Sequence, residues 1–135
     1  MMWKERYRIG VEIIDEQHKE LFQRVQEFLA VINGTEAWEG RKRKVEETMG
    51  FMEEYAVKHF TDEENLFQEI KYPDAEAHKK AHEEFAKMVK EYKVRFEDGM
   101  KEEDVQEFGG RLMSWLIMHV GKEDQKLGEF INREV

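Results

Sequence analysis

Residues 45–70 read VEETMGFMEEYAVKHFTDEENLFQEI, with inward-facing positions recurring at alternating steps of three and four residues. Steps of this kind line up along one side of an α-helix, so the stretch predicts a long helix packed lengthwise against others. The positions on this side are Val45, Met49, Met52, Ala56, His59, Glu63, Phe67 and Ile70. Two of them, His59 and Glu63, are polar, which an ordinary apolar core does not explain.

The same period recurs in three other stretches, which begin near Val11, His78 and Val105. Turn signals separate the four stretches at Asn33-Gly34 and Gly40, at Tyr72-Pro73-Asp74 and at Asp98-Gly99. Short connections make neighbouring helices antiparallel, so the fold class predicted is all-α, an up-down-up-down antiparallel four-helix bundle. Residues 11–131 would form the bundle with a short C-terminal extension, and residues 1–10 an N-terminal arm anchored by aromatic side chains.

Composition narrows the class of protein. The chain has 135 residues, 40% of them hydrophobic, which suits one domain spanning residues 1–135. Its net charge of −9 argues against nucleic acid and anionic membrane surfaces as partners. The absence of cysteine excludes disulfides, iron–sulfur clusters and thiol catalysis. No apolar run approaches the roughly 18 residues of a membrane span and no signal peptide is visible, so we expect a cytoplasmic protein.

All five histidines of the chain occupy inward positions of the predicted helices. A single buried histidine is commonly a hydrogen-bonded core residue, but five of five is not explained in this way. A buried neutral imidazole loses hydration unless both ring nitrogens find partners. The five are His18, His59, His78, His82 and His119. Their convergence therefore indicates a metal site.

Two carboxylates join this set. Glu63 follows His59 by four residues, which places both side chains on one helix face. Asp124 follows His119 by five residues, so an ideal helix would turn it roughly 140° away, although the later apolar stripe is in phase with Asp124. Either a π-bulge lies between the two residues, or the helix ends at Gly121 and a new one begins. Both alternatives turn the carboxylate inward.

Distances from the connections place the seven residues near one end of the bundle. Glu63 and His82 each lie about 9–10 residues, roughly 14 Å of helix, from the second connection. His78 and His119 lie about 20–21 residues from the third. His18 and His59 match less closely, by about one helical turn, as two metals at different heights would allow. The arm, the Tyr72-Pro73 turn and the residues after Gly121 should close this end.

Seven ligands exceed what one ion takes, and carboxylates bridge two ions readily, so the set predicts a dinuclear centre. Imidazole and carboxylate without sulfur suit iron, manganese or zinc, and the ligand count does not choose among them.

The sequence resembles the hemerythrin family, of the bacterial type, over essentially its whole length. The matching segments are Ile14-Asp15-Glu16-Gln17-His18, His59-Phe60-Thr61-Asp62-Glu63-Glu64, Tyr72-Pro73 followed by His78 and His82, Trp115-Leu116-Ile117-Met118-His119 followed by Asp124, and an aromatic residue before Ile9-Gly10-Val11.

The resemblance implies a non-haem di-iron site that binds dioxygen reversibly and is not an enzyme. It implies that His78, His82 and His119 bind one iron, while His18 and His59 bind the other and leave a coordination position open for dioxygen. Glu63 and Asp124 would bridge the irons beside an oxo or hydroxo group.

The surroundings of the site carry further expectations. A dry pocket would slow the loss of bound oxygen as peroxide, and its candidate walls are Phe22, Phe60, Leu116, Met118 and Val120. Asp15, Gln17, Glu64 and backbone carbonyls are candidates to accept from the outer imidazole N–H groups, although Asp15 also suits a helix start.

The leading functional hypothesis is therefore oxygen carriage, storage or delivery. Three alternatives stay open at this stage. They are an oxygen or redox sensor acting through a protein partner of unknown identity, turnover of peroxide or nitric oxide at the same di-iron site, and a structural bundle that holds zinc.

Overall fold

The computed structural model describes residues 3–134, so Met1, Met2 and Val135 of the predicted arm and domain lie outside the described residues. The described chain is an all-α antiparallel four-helix bundle, which confirms the predicted fold class. Its main helices are α1 (Glu12–Ile32), α2 (Trp38–Ile70), α3 (Ala75–Asp98) and α4 (Glu102–Met118). A π-helical turn, His119–Glu123, carries α4 into α5 (Asp124–Glu134), and a 3-10 turn, Glu5–Tyr7, lies in the arm.

The connection between α2 and α3 ends α2 by a specific local conformation. The end of α2 has Lys71 in the left-handed conformation, with φ of 55°, and the N–H of Tyr72 donates to the Phe67 carbonyl at 2.9 Å. This arrangement satisfies carbonyls that the helix end would leave without donors, and Pro73 then prevents the helix from continuing. The resulting turn reverses the chain so that α3 runs antiparallel to α2.

The interior is filled by two groups of apolar side chains. The larger group runs along the bundle between the four main helices. The smaller group lies at one end and consists of Ile9, Ile14, Phe67, Tyr72 and Leu127. Its members come from the arm, from the start of α1, from the end of α2 with the turn that follows, and from α5. The arm, this turn and α5 are the segments that the sequence predicts to close the end of the bundle.

The N-terminal arm is held against the bundle by polar as well as apolar contacts. Asp15 accepts from the backbone N–H groups of Ile9 at 2.8 Å and Gly10 at 3.2 Å. Gly10 has φ of 92°, a conformation that a side chain would disfavour. Trp3 and Tyr7 are buried, as anchors should be. The arm therefore has a fixed path across the end of the bundle.

Over the described residues, no helix is both long enough and apolar enough to cross a membrane.

Candidate metal centre

The seven side chains proposed from the sequence lie together in the interior, and none is more than 4% exposed. Each main helix or its continuation contributes: α1 supplies His18, α2 supplies His59 and Glu63, α3 supplies His78 and His82, and the π-helical turn with the start of α5 supplies His119 and Asp124. The site therefore takes residues from all four main helices or their continuations.

The two carboxylates each reach histidines on different helices with both of their oxygens. Oε2 of Glu63 lies 2.8 Å from Nε2 of His59, and Oε1 lies 3.1 Å from Nε2 of His78. Oδ2 of Asp124 lies 2.8 Å from Nε2 of His18, and Oδ1 lies 2.8 Å from Nε2 of His78. Two-sided contact of this kind suits carboxylates that bridge a pair of ions.

These short contacts are not hydrogen bonds. Nε2 of every one of the five histidines and all four oxygens of Glu63 and Asp124 are buried with no hydrogen-bond partner among the described residues. Two ligands at right angles, each about 2.1 Å from an ion, lie roughly 3 Å apart. The spacing and the missing hydrogen bonds therefore fit ligand atoms that face a cation rather than one another.

The donor atoms form two overlapping groups, in each of which the atoms lie within 4.8 Å of one another. One group is His18, His59, Glu63, His119 and Asp124, and the other is Glu63, His78, His82 and His119. Glu63 and His119 belong to both groups. The residues present therefore fit two neighbouring ions, as the ligand count predicts.

The π-helical turn explains how Asp124 joins the site. The N–H of Asp124 donates to the carbonyl of His119, five residues earlier, in place of the four-residue spacing of an α-helix. The extra residue per turn shifts the later helix so that Asp124 and His119 face the same interior. Of the two alternatives drawn from the sequence, the bulge is the one found.

Two of the candidate outer partners contact histidines and one does not. Nδ1 of His59 lies 2.8 Å from Oε1 of Gln17, whose amide donates to Asp62 at 2.7 Å. Nδ1 of His82 lies 3.0 Å from Oε2 of Glu64. Asp15 holds the amides of the arm instead, since it stands one turn before His18 and faces the chain entering α1.

Charge in the site is balanced between carboxylates and imidazoles. Burial by itself would lower the pKa of His18, but Asp124 and Glu63 outweigh it and raise that pKa to about 9. The same two carboxylates raise the pKa of His78 to about 10 against the effect of burial. Burial lowers the pKa of His119. The buried carboxylates thus draw positive charge into the interior, as protons or as bound cations.

Two of the predicted pocket walls, Phe60 and Leu116, line a small apolar cavity of about 10 Å³, and no histidine lines it. The ring of Phe60 stacks on His82, with centroids 4.0 Å apart. Phe22 and Val120 are buried in the main core but do not line this cavity.

The expectation for Met118 is wrong, because its side chain is 50% exposed and lies in a surface groove beside Tyr7. It precedes His119 by one residue, and one residue rotates a side chain by about 100° away from the interior.

One contact was not assigned from the sequence. Trp115 stacks on His119 with ring centroids 4.4 Å apart, and it lines the same cavity. The four-residue spacing between them was the available signal, because it places both rings on one helix face.

Fold and site together define a helical bundle built around a histidine-rich dinuclear metal centre. The family model described as the hemerythrin HHE cation binding domain matches residues 9–131. The chain is 34% identical to a bacteriohemerythrin of Pseudomonas paraeruginosa over 92% of its own length and 76% of the relative's. It is 25% identical to a bacteriohemerythrin of Clostridium acetobutylicum, over 93% and 96% of the two chains. A myohemerythrin of Sipunculus nudus is 36% identical over 62% of this chain and 61% of its own.

The chain belongs to the hemerythrin family. Its homologues indicate a di-iron, oxygen-binding domain.

Proposed function

We propose that this protein binds dioxygen reversibly at a non-haem di-iron centre and serves to carry, store or deliver oxygen, not to catalyse a reaction. The observation that carries the proposal is the buried set of five imidazoles and two carboxylates whose facing atoms have no hydrogen-bond partners. Such atoms are costly in an interior unless a cation binds them.

The proposed ligand set divides between the two irons. His78, His82 and His119 would hold one iron, and His18 and His59 would hold the other, where dioxygen would bind. Glu63 and Asp124 would bind both irons. The two-sided contacts of both carboxylates support the bridging roles. When bound, the two ferrous ions supply the electrons that hold dioxygen.

The remaining task of the chain is to keep water and protons away. Phe60, Trp115 and Leu116 line an apolar cavity, and a space of this size and lining stays dry. The rings of Phe60 and Trp115 separate this cavity from His82 and His119, on which they stack. A dry lining keeps proton donors away from the site, which would favour release of dioxygen unchanged over its loss as peroxide. The predicted domain boundaries and cytoplasmic location stay predictions.

The proposal is tested by an anaerobic-to-aerobic absorption titration of the iron-loaded protein combined with metal analysis. We expect two irons per chain and an oxygen-dependent spectrum that reverses over repeated cycles of oxygen removal. Stoichiometric zinc without colour would instead indicate a structural site. Oxidation within a single cycle, with peroxide released, would indicate turnover and contradict the carrier function.

A further inference from the structure

The histidines of the two proposed iron sites have chemically different partners on their outer nitrogens. When Nε2 faces a metal, Nδ1 carries the proton and donates it. His82 then donates to the carboxylate of Glu64 at 3.0 Å, whereas His59 donates to the neutral amide oxygen of Gln17 at 2.8 Å. Nδ1 of His18 and of His119 is buried with no partner among the described residues. Nδ1 of His78 makes no hydrogen bond within the described part of the chain, so Glu64 is the only charged group there that accepts from an outer imidazole nitrogen.

A carboxylate acceptor changes an imidazole more than an amide does. It draws the Nδ1 proton toward itself and makes Nε2 a stronger electron donor, and stronger donation favours the more highly charged metal. Both proposed sites share Glu63 and Asp124, and they already differ by one imidazole. Glu64 makes the electron donation to the two irons still more unequal.

We propose that Glu64 tunes the reduction potential of the iron held by His78 and His82 and favours its ferric state, while Gln17 leaves the iron at the open position less electron-rich. This inference rests on the proposed function. The effect passes through His82 alone, so Glu64 is a positioning residue and not a ligand. Phe60 stacks on the ring of His82 and leaves its Nδ1 edge toward Glu64.

A purely mechanical role for Glu64, that of holding the ring in place, makes a different prediction. Glu64→Gln keeps a side chain of the same length with an oxygen that can accept from Nδ1, and removes only the charge. If Glu64 merely orients His82, this variant keeps the original potential. If its charge tunes the metal, the potential rises.

The matched control is Glu69→Gln, because Glu69 is an exposed carboxylate on the same helix and bonds none of the histidines in the described chain. The midpoint potential of the iron-loaded protein is measured by spectroelectrochemical titration for both variants. We expect Glu64→Gln to shift the ferric-to-ferrous ratio about tenfold, which is about 59 mV for one electron, and Glu69→Gln to leave it unchanged. Equal potentials in the two variants would overturn the inference.

A second variant tests the other site in the opposite direction. Gln17→Glu combined with Asp62→Asn exchanges the carboxylate and the amide, so the hydrogen bonds from His59 through residue 17 to residue 62 are kept. His59 then donates to a charge. We expect a lower potential and faster oxidation in air, by about tenfold. An unchanged potential here overturns the inference even if Glu64→Gln fails to hold iron.

The two proposals fail in different ways. If the unaltered protein does not hold two irons or does not bind oxygen reversibly, the proposed function fails. If it does both and the potential follows neither substitution, the function stands and the role of Glu64 is wrong.

Discussion

Nε2 of His18 lies 2.8 Å from Oδ2 of Asp124, although the two residues come from the first and the last helix of the chain. The contact depends on the π-helical turn, which turns Asp124 inward. It also means that no single hairpin of the bundle contains a complete site. A cation held there therefore joins the beginning of the fold to its end.

Removal of the metal should destabilise the whole bundle. Chelation leaves only protons on His18 and His78 as counter-charge for Glu63 and Asp124. Nε2 of His59, of His82 and of His119 then stays buried with no hydrogen-bond partner among the described residues, and each such group costs about 1–3 kcal/mol. We expect the chelated protein to unfold at a clearly lower temperature, as followed by circular dichroism. The expected loss of unfolding free energy is at least about 2 kcal/mol. Adding ferrous iron back under anaerobic conditions should restore the original curve. Identical curves with and without metal would contradict a site that links the ends of the chain.

The metal-free protein should also lose stability as pH rises. His18 and His78 have pKa values of about 9 and about 10 against a usual 6.5, so their protons stabilise the folded state fully below about pH 6.5. This contribution is lost as pH rises through 9 and 10. Urea unfolding of the chelated protein should therefore show a falling free energy over this range.

The iron-loaded protein is the control for this pH dependence, because its histidines bind a cation in place of protons. Its unfolding free energy should vary less over the same range. A chelated protein whose stability rises from pH 7 to pH 10 would contradict the charge balance described for the site.

His59→Ala should abolish reversible oxygen binding. The substitution removes one of only two histidines proposed for the iron with the open position, so we expect the iron content to fall from two toward one. Metal analysis and the absorption titration measure both effects. Lys58→Ala, at the exposed neighbouring position, is the control and should behave as the unaltered protein. Full reversible binding in His59→Ala would refute the proposed division of ligands.

The repeating steps of three and four residues were sufficient to predict the bundle. Together with the distances from the connections, they also predicted that the seven polar side chains lie near one end of it. Even the loosest pair, His18 and His59, meets with ring centroids 4.7 Å apart. Helix periodicity is a property of the backbone, so it can be read from the sequence.

The direction in which a side chain points within one helical turn was harder to predict from the sequence. Met118 precedes His119 in sequence yet faces solvent, and Asp15 stands close to His18 yet turns to the arm. The choice between a bulge and a helix break after His119 depends on packing of α5 against Ile9 and Tyr72, which no local pattern specifies. These features required the assembled fold.

A pair of adjacent glycines in α4 should respond oppositely to alanine. A Cβ on Gly109 would lie 2.8 Å from Cδ1 of Ile32 and 3.1 Å from Cδ2 of Leu29, whereas one on Gly110 meets nothing within 4 Å. We expect Gly109→Ala to destabilise by about 1 kcal/mol, because overpacking exceeds the gain in helix propensity. Gly110→Ala, the matched control, should stabilise by about 0.5–1 kcal/mol. Denaturant unfolding measures both, and equal changes would show that α1 and α4 do not approach closely at Gly109.

Leu116→Tyr should speed the oxidation of the oxygenated protein in air. Leu116 lines the apolar cavity whose other walls, Phe60 and Trp115, stack on His82 and His119. A tyrosine at this position would bring a hydroxyl, a proton donor, into this apolar lining. A hydrogen bond worth about 1–3 kcal/mol corresponds to roughly fivefold to 160-fold in rate. The measurement is the decay of the oxygenated absorbance in air.

Leu116→Phe separates the effect of the hydroxyl from that of the ring, because it adds a similar volume without a donor. If the cavity protects bound oxygen by excluding protons, the tyrosine variant oxidises faster than the phenylalanine variant. Equal rates in these two variants would mean that Leu116 only fills space in the core. The proton barrier would then have to come from Phe60 and Trp115, the other rings that line the cavity and pack on the histidines.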